Sequence, residues 1–207
     1  IDTTGGAYYA KRLEAKGITY LGSFHNGFRQ LTNSKHPVTK PEDLKDLKIR
    51  VPGSAVYMGV FNALGASPTA MSWSEVFTAI QQKTIDGQEN GCSVTKSAKM
   101  DEIQQYMTIW NYSYENDLFV ANSRVWESLD ENTRQLLQEC ATESCEWGRD
   151  HLEAEEDQLI QGFMDSGMQV DILTEDQLQA FKDAVAGVTA ELKTEYGEDA
   201  CAAFGIN

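Results

Sequence analysis

The segment Leu47-Lys48-Ile49-Arg50-Val51 has the character of a β-strand stopped by Pro52-Gly53, and it carries an arginine in otherwise apolar surroundings. Taking a guanidinium out of water is costly unless an anion or a buried carboxylate meets it. A second arginine, Arg29, lies in Asn26-Gly27-Phe28-Arg29-Gln30, a polar run just after a predicted strand. An arginine fork can hold a carboxylate through two parallel charge-assisted bonds. Each arginine can therefore bind an organic acid, and for each a structural salt bridge is the alternative. A third polar group stands in residues 79–92, AIQQKTIDGQENGC, where a helix ends near Lys83-Thr84 and runs into Asp86-Gly87. That dipeptide predicts a tight turn with positive φ. Gln88, Glu89 and Asn90 follow, either as a solvated loop or as side chains aimed at a ligand.

No catalytic constellation accompanies these residues. The three histidines, His25, His36 and His151, have no metal-ligand spacing, and the chain has no G-x-S-x-G, no P-loop and no G-x-G-x-x-G after a strand. The acidic run Glu155-Glu156-Asp157 reads as a solvated helix face. Cys92, Cys140, Cys145 and Cys201 form no C-x-x-C pair, so a zinc ribbon or a redox dithiol is unsupported. Cys140 and Cys145 point away from each other on a helix, and both disulfides and buried free thiols remain open for the set. No metal or cofactor is expected. A formal net charge of -15 would repel phosphate backbones and anionic membrane surfaces, which argues against nucleic acid as a partner. No run approaches the ~18 apolar residues of a membrane span, and Ile1-Asp2-Thr3-Thr4 does not resemble a cleavable leader.

The 207 residues suffice for one large domain or two small ones. Residues 5–16 predict a helix capped by Gly17, and 18–24 a strand, followed by an irregular polar segment from His25 to Pro37. Thr39-Lys40-Pro41-Glu42 and Ser72-Trp73-Ser74-Glu75 read as capped helix starts. Tyr57, Val60, Phe61 and Leu64 mark a helix over 54–64 closed by Gly65, and Trp73, Val76, Phe77 and Ile80 mark the next. Met107 to Ser123 is β-prone, and 128–165 is helical throughout, as one long helix or two joined by a kink. At 1.5 Å per residue it would extend ~50 Å, most simply across two lobes. A strand over 167–173 and one final helix, capped by Thr174 and Gln177 and using Leu178 to Leu192, complete the chain. Alternating strands and helices predict an α/β fold.

The strings Arg29-Gln30-Leu31-Thr32-Asn33, Pro41-Glu42-Asp43-Leu44 through Ile49-Arg50-Val51-Pro52, Gly65-Ala66-Ser67-Pro68-Thr69-Ala70-Met71, Ser74-Glu75-Val76-Phe77-Thr78-Ala79-Ile80-Gln81 and Ile85-Asp86-Gly87-Gln88-Glu89-Asn90 follow in order. Together they resemble the DctP-like solute-binding proteins of tripartite ATP-independent periplasmic (TRAP) transporters, over essentially the whole chain. The resemblance implies a two-lobed α/β periplasmic-binding-protein-like fold with a long helix spanning both lobes. The lobes would comprise 1–26 as the remainder of lobe I, 27–116 as lobe II, 117–152 as the return to lobe I, and 153–207 as lobe II with the C-terminal helices. It implies a carboxylate paired with Arg50, with Arg29 as second basic contact, Trp73 as an aromatic wall and Asn90 as the amide aimed by the Asp-Gly turn. Gln88 and Glu89 would hold the loop, and Trp73 equally fits the apolar stripe of its helix.

Two departures from the family pattern stand out. Gly91-Cys92 follows Asn90 where proline is common, and Trp110-Asn111-Tyr112 replaces a stretch in which many relatives carry histidine. The family's first β-α-β units and export signal have no counterpart, so residue 1 is expected to fall inside the first lobe of a longer protein. The implied function is capture of a small organic acid outside the cytoplasmic membrane and delivery to a TRAP membrane permease, by a protein that does not itself span the membrane. The competing functions are a ligand-presenting sensor of the same fold and an α/β enzyme using Glu75 or Asp86 as acid-base group.

Overall fold

The computed structural model describes residues 4–206; Ile1-Asp2-Thr3, at the head of the stretch examined for a leader, lie outside the described residues. Helix α1 (Thr4–Glu14) ends at Gly17, whose φ of 72° is the left-handed conformation that closes a helix. Strand β1 (Ile18–Asn33) follows, then a 3-10 turn at Pro41–Leu44, β2 (Lys48–Val51), α2 (Ala55–Ala63), β3 (Ser67–Ala70), α3 (Trp73–Gln81) and β4 (Gly87–Gly91). Next come α4 (Cys92–Ser97), β5 (Tyr106–Asn122), α5 (Ser123–Ser128), α6 (Glu131–Asp165), β6 (Gln169–Ile172), α7 (Glu175–Ala184), α8 (Ala186–Tyr196) and α9 (Glu198–Ala203). The strands form one sheet in the order β3-β2-β4-β1-β5-β6. β2 runs parallel to β3 and β4, β5 parallel to β6, and β1 antiparallel to β4.

The chain divides into two compact units. The first gathers the segment ending at Gly27, Glu115–Glu155 and the segment from Lys193 on, and the second Phe28–Tyr114 with Glu156–Leu192. Residues from Lys193 on thus group with the first unit, whereas the sequence reading kept 153–207 together. α6 is a single 35-residue helix that contributes to both units. In the second unit Leu31, Ile49 and Val51 pack with Phe61 of α2, Leu64 just after it, Trp110 of β5 and Phe181 of α7. Val76, Ile80, Ile85 and Met100 form a second cluster under α3, and Cys92, Met107, Ile109, Phe163 and Met168 a third beside the end of α6. Met107 and Ile109 alternate with Thr108 and Trp110, so β5 feeds a different cluster from each face.

Several local expectations are corrected. His25 to Asn33 is not irregular but the second half of β1, because its polar side chains are matched by partners on other strands. The DGQEN segment is not a turn. Gly87 to Gly91 is a central strand, fully buried, and the left-handed residue is Lys83, at φ 59°. Glycine is needed at 87 for proximity, since a Cβ there would lie 2.3 Å from the Thr32 carbonyl oxygen. Ser72 makes no side-chain cap. Its hydroxyl meets that of Ser74 while the Glu75 N–H donates to the Ser72 carbonyl. At residue 39 the roles are reversed, because the Asp43 carboxylate accepts from the N–H groups of Thr39 and Lys40. The expected last helix is two, α7 and α8, parted at Val185, whose N–H is shared between the Phe181 and Asp183 carbonyls. The Thr174–Gln177 capping box is present as read.

Candidate functional site

β4 lies between β2 and β1, and all five of its residues are buried although three carry polar side chains. Burial at that depth requires partners for Gln88, Glu89 and Asn90. Antiparallel register sets Leu31 opposite Glu89 and Arg29 opposite Gly91, so Arg29 and Glu89 are diagonal neighbours on one face. Arg29 is 2% exposed and Glu89 fully buried. Arg29 Nε donates to Glu89 Oε2 and Nη2 to Oε1 at 2.9 Å, and Nη2 also reaches the Glu89 carbonyl at 2.8 Å. The Tyr112 hydroxyl donates to the same carboxylate, and the Tyr57 ring lies 5.1 Å below the guanidinium. Burial pushes the Glu89 carboxyl upward while the Arg29 and Tyr112 bonds pull it back. Burial, and then the Glu89 charge, holds the Tyr112 phenol well above its ordinary range, so it remains a donor. Arg29 thus occupies a dry ion pair rather than the hydrated polar loop that its sequence setting suggested.

Arg50 sits differently. Parallel register sets it opposite Gln88 of β4, which places Arg50, Gln88 and Asn90 on one face by the two-residue repeat, the face opposite Glu89. It is 5% exposed, and its Nε and Nη2 both donate to the Met71 carbonyl, at 2.9 and 2.8 Å. Its guanidinium carbon stands 5.3 Å from the centre of the Trp73 ring. A carbonyl on one edge and an aromatic face fix the plane of the fork, and the carbonyl does so without contributing a formal charge. Trp73 also packs against the cluster under α3, as the apolar stripe of its helix predicted. Asn90, 7% exposed, accepts from the Gly91 N–H through its side-chain oxygen. Gln88 donates to Thr32 at 2.8 Å and so braces β4 against β1.

The structure thus brings Arg50 and Trp73 into contact, sets Asn90 on the same face, and places Arg29 on the other with Glu89. Two participants, Tyr112 and Gln30, stand in segments quoted from the sequence but were given no role there. Asn111 has φ 47°, and the Gln30 side-chain oxygen accepts from the N–H groups of Trp110 and Asn111, at 3.0 and 3.1 Å. Gln30 Nε2 returns a bond to Asn111 Oδ1 at 2.5 Å. This irregularity in β5 precedes Tyr112 directly. The available signal was Asn111 itself, since asparagine is enriched among left-handed residues. The carboxylates considered for acid-base work are placed otherwise: Asp86 accepts from the Lys48 N–H at 3.0 Å and Glu75 is exposed at the start of α3. Among the described residues no group of histidine, cysteine or acidic side chains is arranged to hold a metal.

The sequence pattern of the DctP family, bacterial extracellular solute-binding protein, family 7, matches residues 2–195. The chain belongs to this family. Among DctP-family relatives, the 2,3-diketo-L-gulonate-binding periplasmic protein YiaO of Escherichia coli is 33% identical over 180 residues, 87% of this chain and 54% of that protein. The C4-dicarboxylate-binding periplasmic protein DctP of Rhodobacter capsulatus is 32% identical over 96% of this chain and 60% of its own length. This DctP-family chain therefore spans somewhat more than half the length of these relatives. A TRAP periplasmic solute-binding protein from Ralstonia eutropha with bound (S)-2-acetolactate is similar in structure, with TM-score 0.94, 34% identity, and coverage of 98% of this chain and 66% of that one. A Shewanella oneidensis counterpart with bound succinate gives 0.90 and 33%, covering 96% and 65%. Among the described residues, no helix of this family member is long and apolar enough to cross a membrane.

Proposed function

We propose that this DctP-family chain is the greater part of a periplasmic solute-binding protein that captures a small organic acid and hands it to the membrane subunits of a TRAP-type permease, without chemical change to the ligand. The observation that carries the reading is Arg50, whose fork is held in one plane by the Met71 carbonyl and the Trp73 ring. A planar, pre-oriented guanidinium suits a carboxylate better than a flexible ammonium does. In this reading Trp73 walls the ligand, Asn90 supplies an amide, and Arg29 is the second basic group, its fork oriented by Glu89 and Tyr112. The acids named for relatives, among them acetolactate and succinate, support a carboxylate as the common element.

The test is a thermal-shift screen of monocarboxylates, dicarboxylates and sugar acids. An acid that binds only the folded state stabilises it by about 2.7 kcal/mol at 100 times its dissociation constant. The expected result is a clear rise in Tm with at least one acid, absent from Arg50→Ala. A full panel without any shift in the wild-type protein overturns the proposal.

A further inference from the structure

A groove of about 1070 Å³ opens within the first unit, between α1 and α9. Tyr8, Lys11, Arg12 and Lys16 border it from α1 and its closing turn, at the i, i+3, i+4 and i+8 positions of one helix face. Tyr8 and Tyr9 both meet the Phe204 ring, at 5.7 and 5.1 Å, and the Thr4 hydroxyl donates to the Ala203 carbonyl at 2.7 Å, so the two walls are fastened to each other. The Arg12 guanidinium carbon stands 4.9 Å from the centre of the Tyr8 ring, a contact that restrains the fork on its wall.

Lys11, Arg12 and Lys16 are exposed, and among the described residues none of them pairs with a carboxylate. The described residues that line the groove include one acid, Asp199, against these three cations. In a chain with 32 acidic and 17 basic side chains a cation is expected to find an acidic neighbour, so three without one, gathered on a single groove, set it apart from the rest of the surface. Lys11 and Arg12 also complement the dipole of α1, an interaction that leaves their donors in solvent. Between the cations the lining is small, with Ala7, Ala15, Ala202 and Ala203, and lets a backbone and aliphatic stems lie close to both helices.

We propose that this groove docks an acidic polypeptide segment, at a surface in the other unit from Arg29 and Arg50. Carboxylates of the segment meet Lys11, Arg12 and Lys16, and its backbone lies over the alanines. An extended polyanion, such as an anionic bilayer or a nucleic-acid duplex, also meets the rest of a surface whose net charge is -15. A short segment seated in a concave groove feels mainly the charges within a screening length, ~8 Å at physiological salt.

Deca-glutamate is the probe, titrated into the full-length protein and followed by nitrogen-correlated NMR at low ionic strength. The backbone signals of residues 4–16 and 199–203 are expected to move together and to saturate with a Kd on the order of a millimolar, since exposed ion pairs are individually weak. Lys11→Gln with Lys16→Gln keeps Arg12 over Tyr8 and should weaken the response about tenfold, and Lys11→Glu with Lys16→Glu should abolish it. An unshifted spectrum, a response confined to other parts of the surface, or equal affinity in the double glutamine variant overturns the proposal. Citrate that moves the same signals as strongly at equal carboxylate concentration makes the groove a small-anion site, and phosphatidylglycerol vesicles that broaden them where deca-glutamate does nothing make it a lipid contact. Either result overturns the polypeptide assignment. Should a double variant fail to fold, Arg12→Gln takes its place: a weakened response supports the groove and an unchanged one overturns it.

Discussion

The two arginines on the strands flanking β4 are almost equally buried, yet their surroundings differ in kind. Arg29 faces a carboxylate that takes two of its bonds, beneath a phenol and a tyrosine ring. Arg50 spends the corresponding two bonds on a single peptide carbonyl and lies against an indole. Both charges act on the Glu89 carboxyl, Arg29 through direct bonds and Arg50 at longer range. On the proposed function, Arg29 is expected to serve chiefly the integrity of the sheet and Arg50 chiefly recognition of the acid, and substitution tests that expectation.

The largest effect is expected at the pair. Glu89→Ala strands the Arg29 charge in the interior and should cost about 3–5 kcal/mol of stability, with Arg29→Ala comparable, both read from urea unfolding. Replacing both at once, as Arg29→Met with Glu89→Leu, should recover most of that loss, because well-packed apolar groups often match a buried pair. A double variant no more stable than either single one would show that the pair is not the unit. Next comes Arg50→Lys, which keeps the charge and loses the fork. Acid affinity measured by calorimetry should fall by ~2 kcal/mol or more while the unfolding midpoint stays close to wild type. A fall in stability without loss of affinity would make Arg50 a second structural residue and erase the contrast. Tyr112→Phe removes one bond to the Glu89 carboxylate and should lower stability by about 1–2 kcal/mol. Smallest is Asn90→Ala, expected to weaken acid binding by ~1 kcal/mol, since a neutral amide contact is at stake.

Much of the helical architecture was legible because it is local. α2 and α3 announce themselves by the 3.6-residue spacing of Tyr57, Val60, Phe61 and Leu64 and of Trp73, Val76, Phe77 and Ile80, and α7 by the Thr174–Gln177 cap. β2 was legible because the β-branched Ile49 and Val51 flank Arg50 and Pro52-Gly53 stops the run. What escaped depends on residues far apart in sequence. Arg29 and Glu89 lie on different strands sixty positions apart, and such long-range partners, with Gln30–Asn111 and Gln88–Thr32 among them, make a buried polar strand tolerable at 29–33 and at 87–91. A polar run without apolar alternation reads as loop, since nothing local says that water will be absent. The dipeptide Asp86-Gly87 misled for a related reason. Glycine serves there to admit a neighbouring carbonyl, and a sequence does not distinguish that need from a turn. At the candidate site, the arginines and Trp73 were legible by type, while Tyr112 became visible only once Gln30 and Asn111 had aligned β5.

The order of the strands has a consequence for the chain as it is made. β1 lies between β4 and β5, and both are synthesised after it. A nascent chain must therefore carry the second half of β1, with Arg29, Gln30 and Thr32 lacking their eventual partners, until the ribosome has delivered Gly91 for one edge and Asn111 for the other. Pairings of such long sequence separation slow folding and leave strand edges open to wrong neighbours. Polar side chains along that waiting strand keep it hydrated in the interval, so the residues that later make the interior of the sheet specific also protect it from aggregation while it is incomplete.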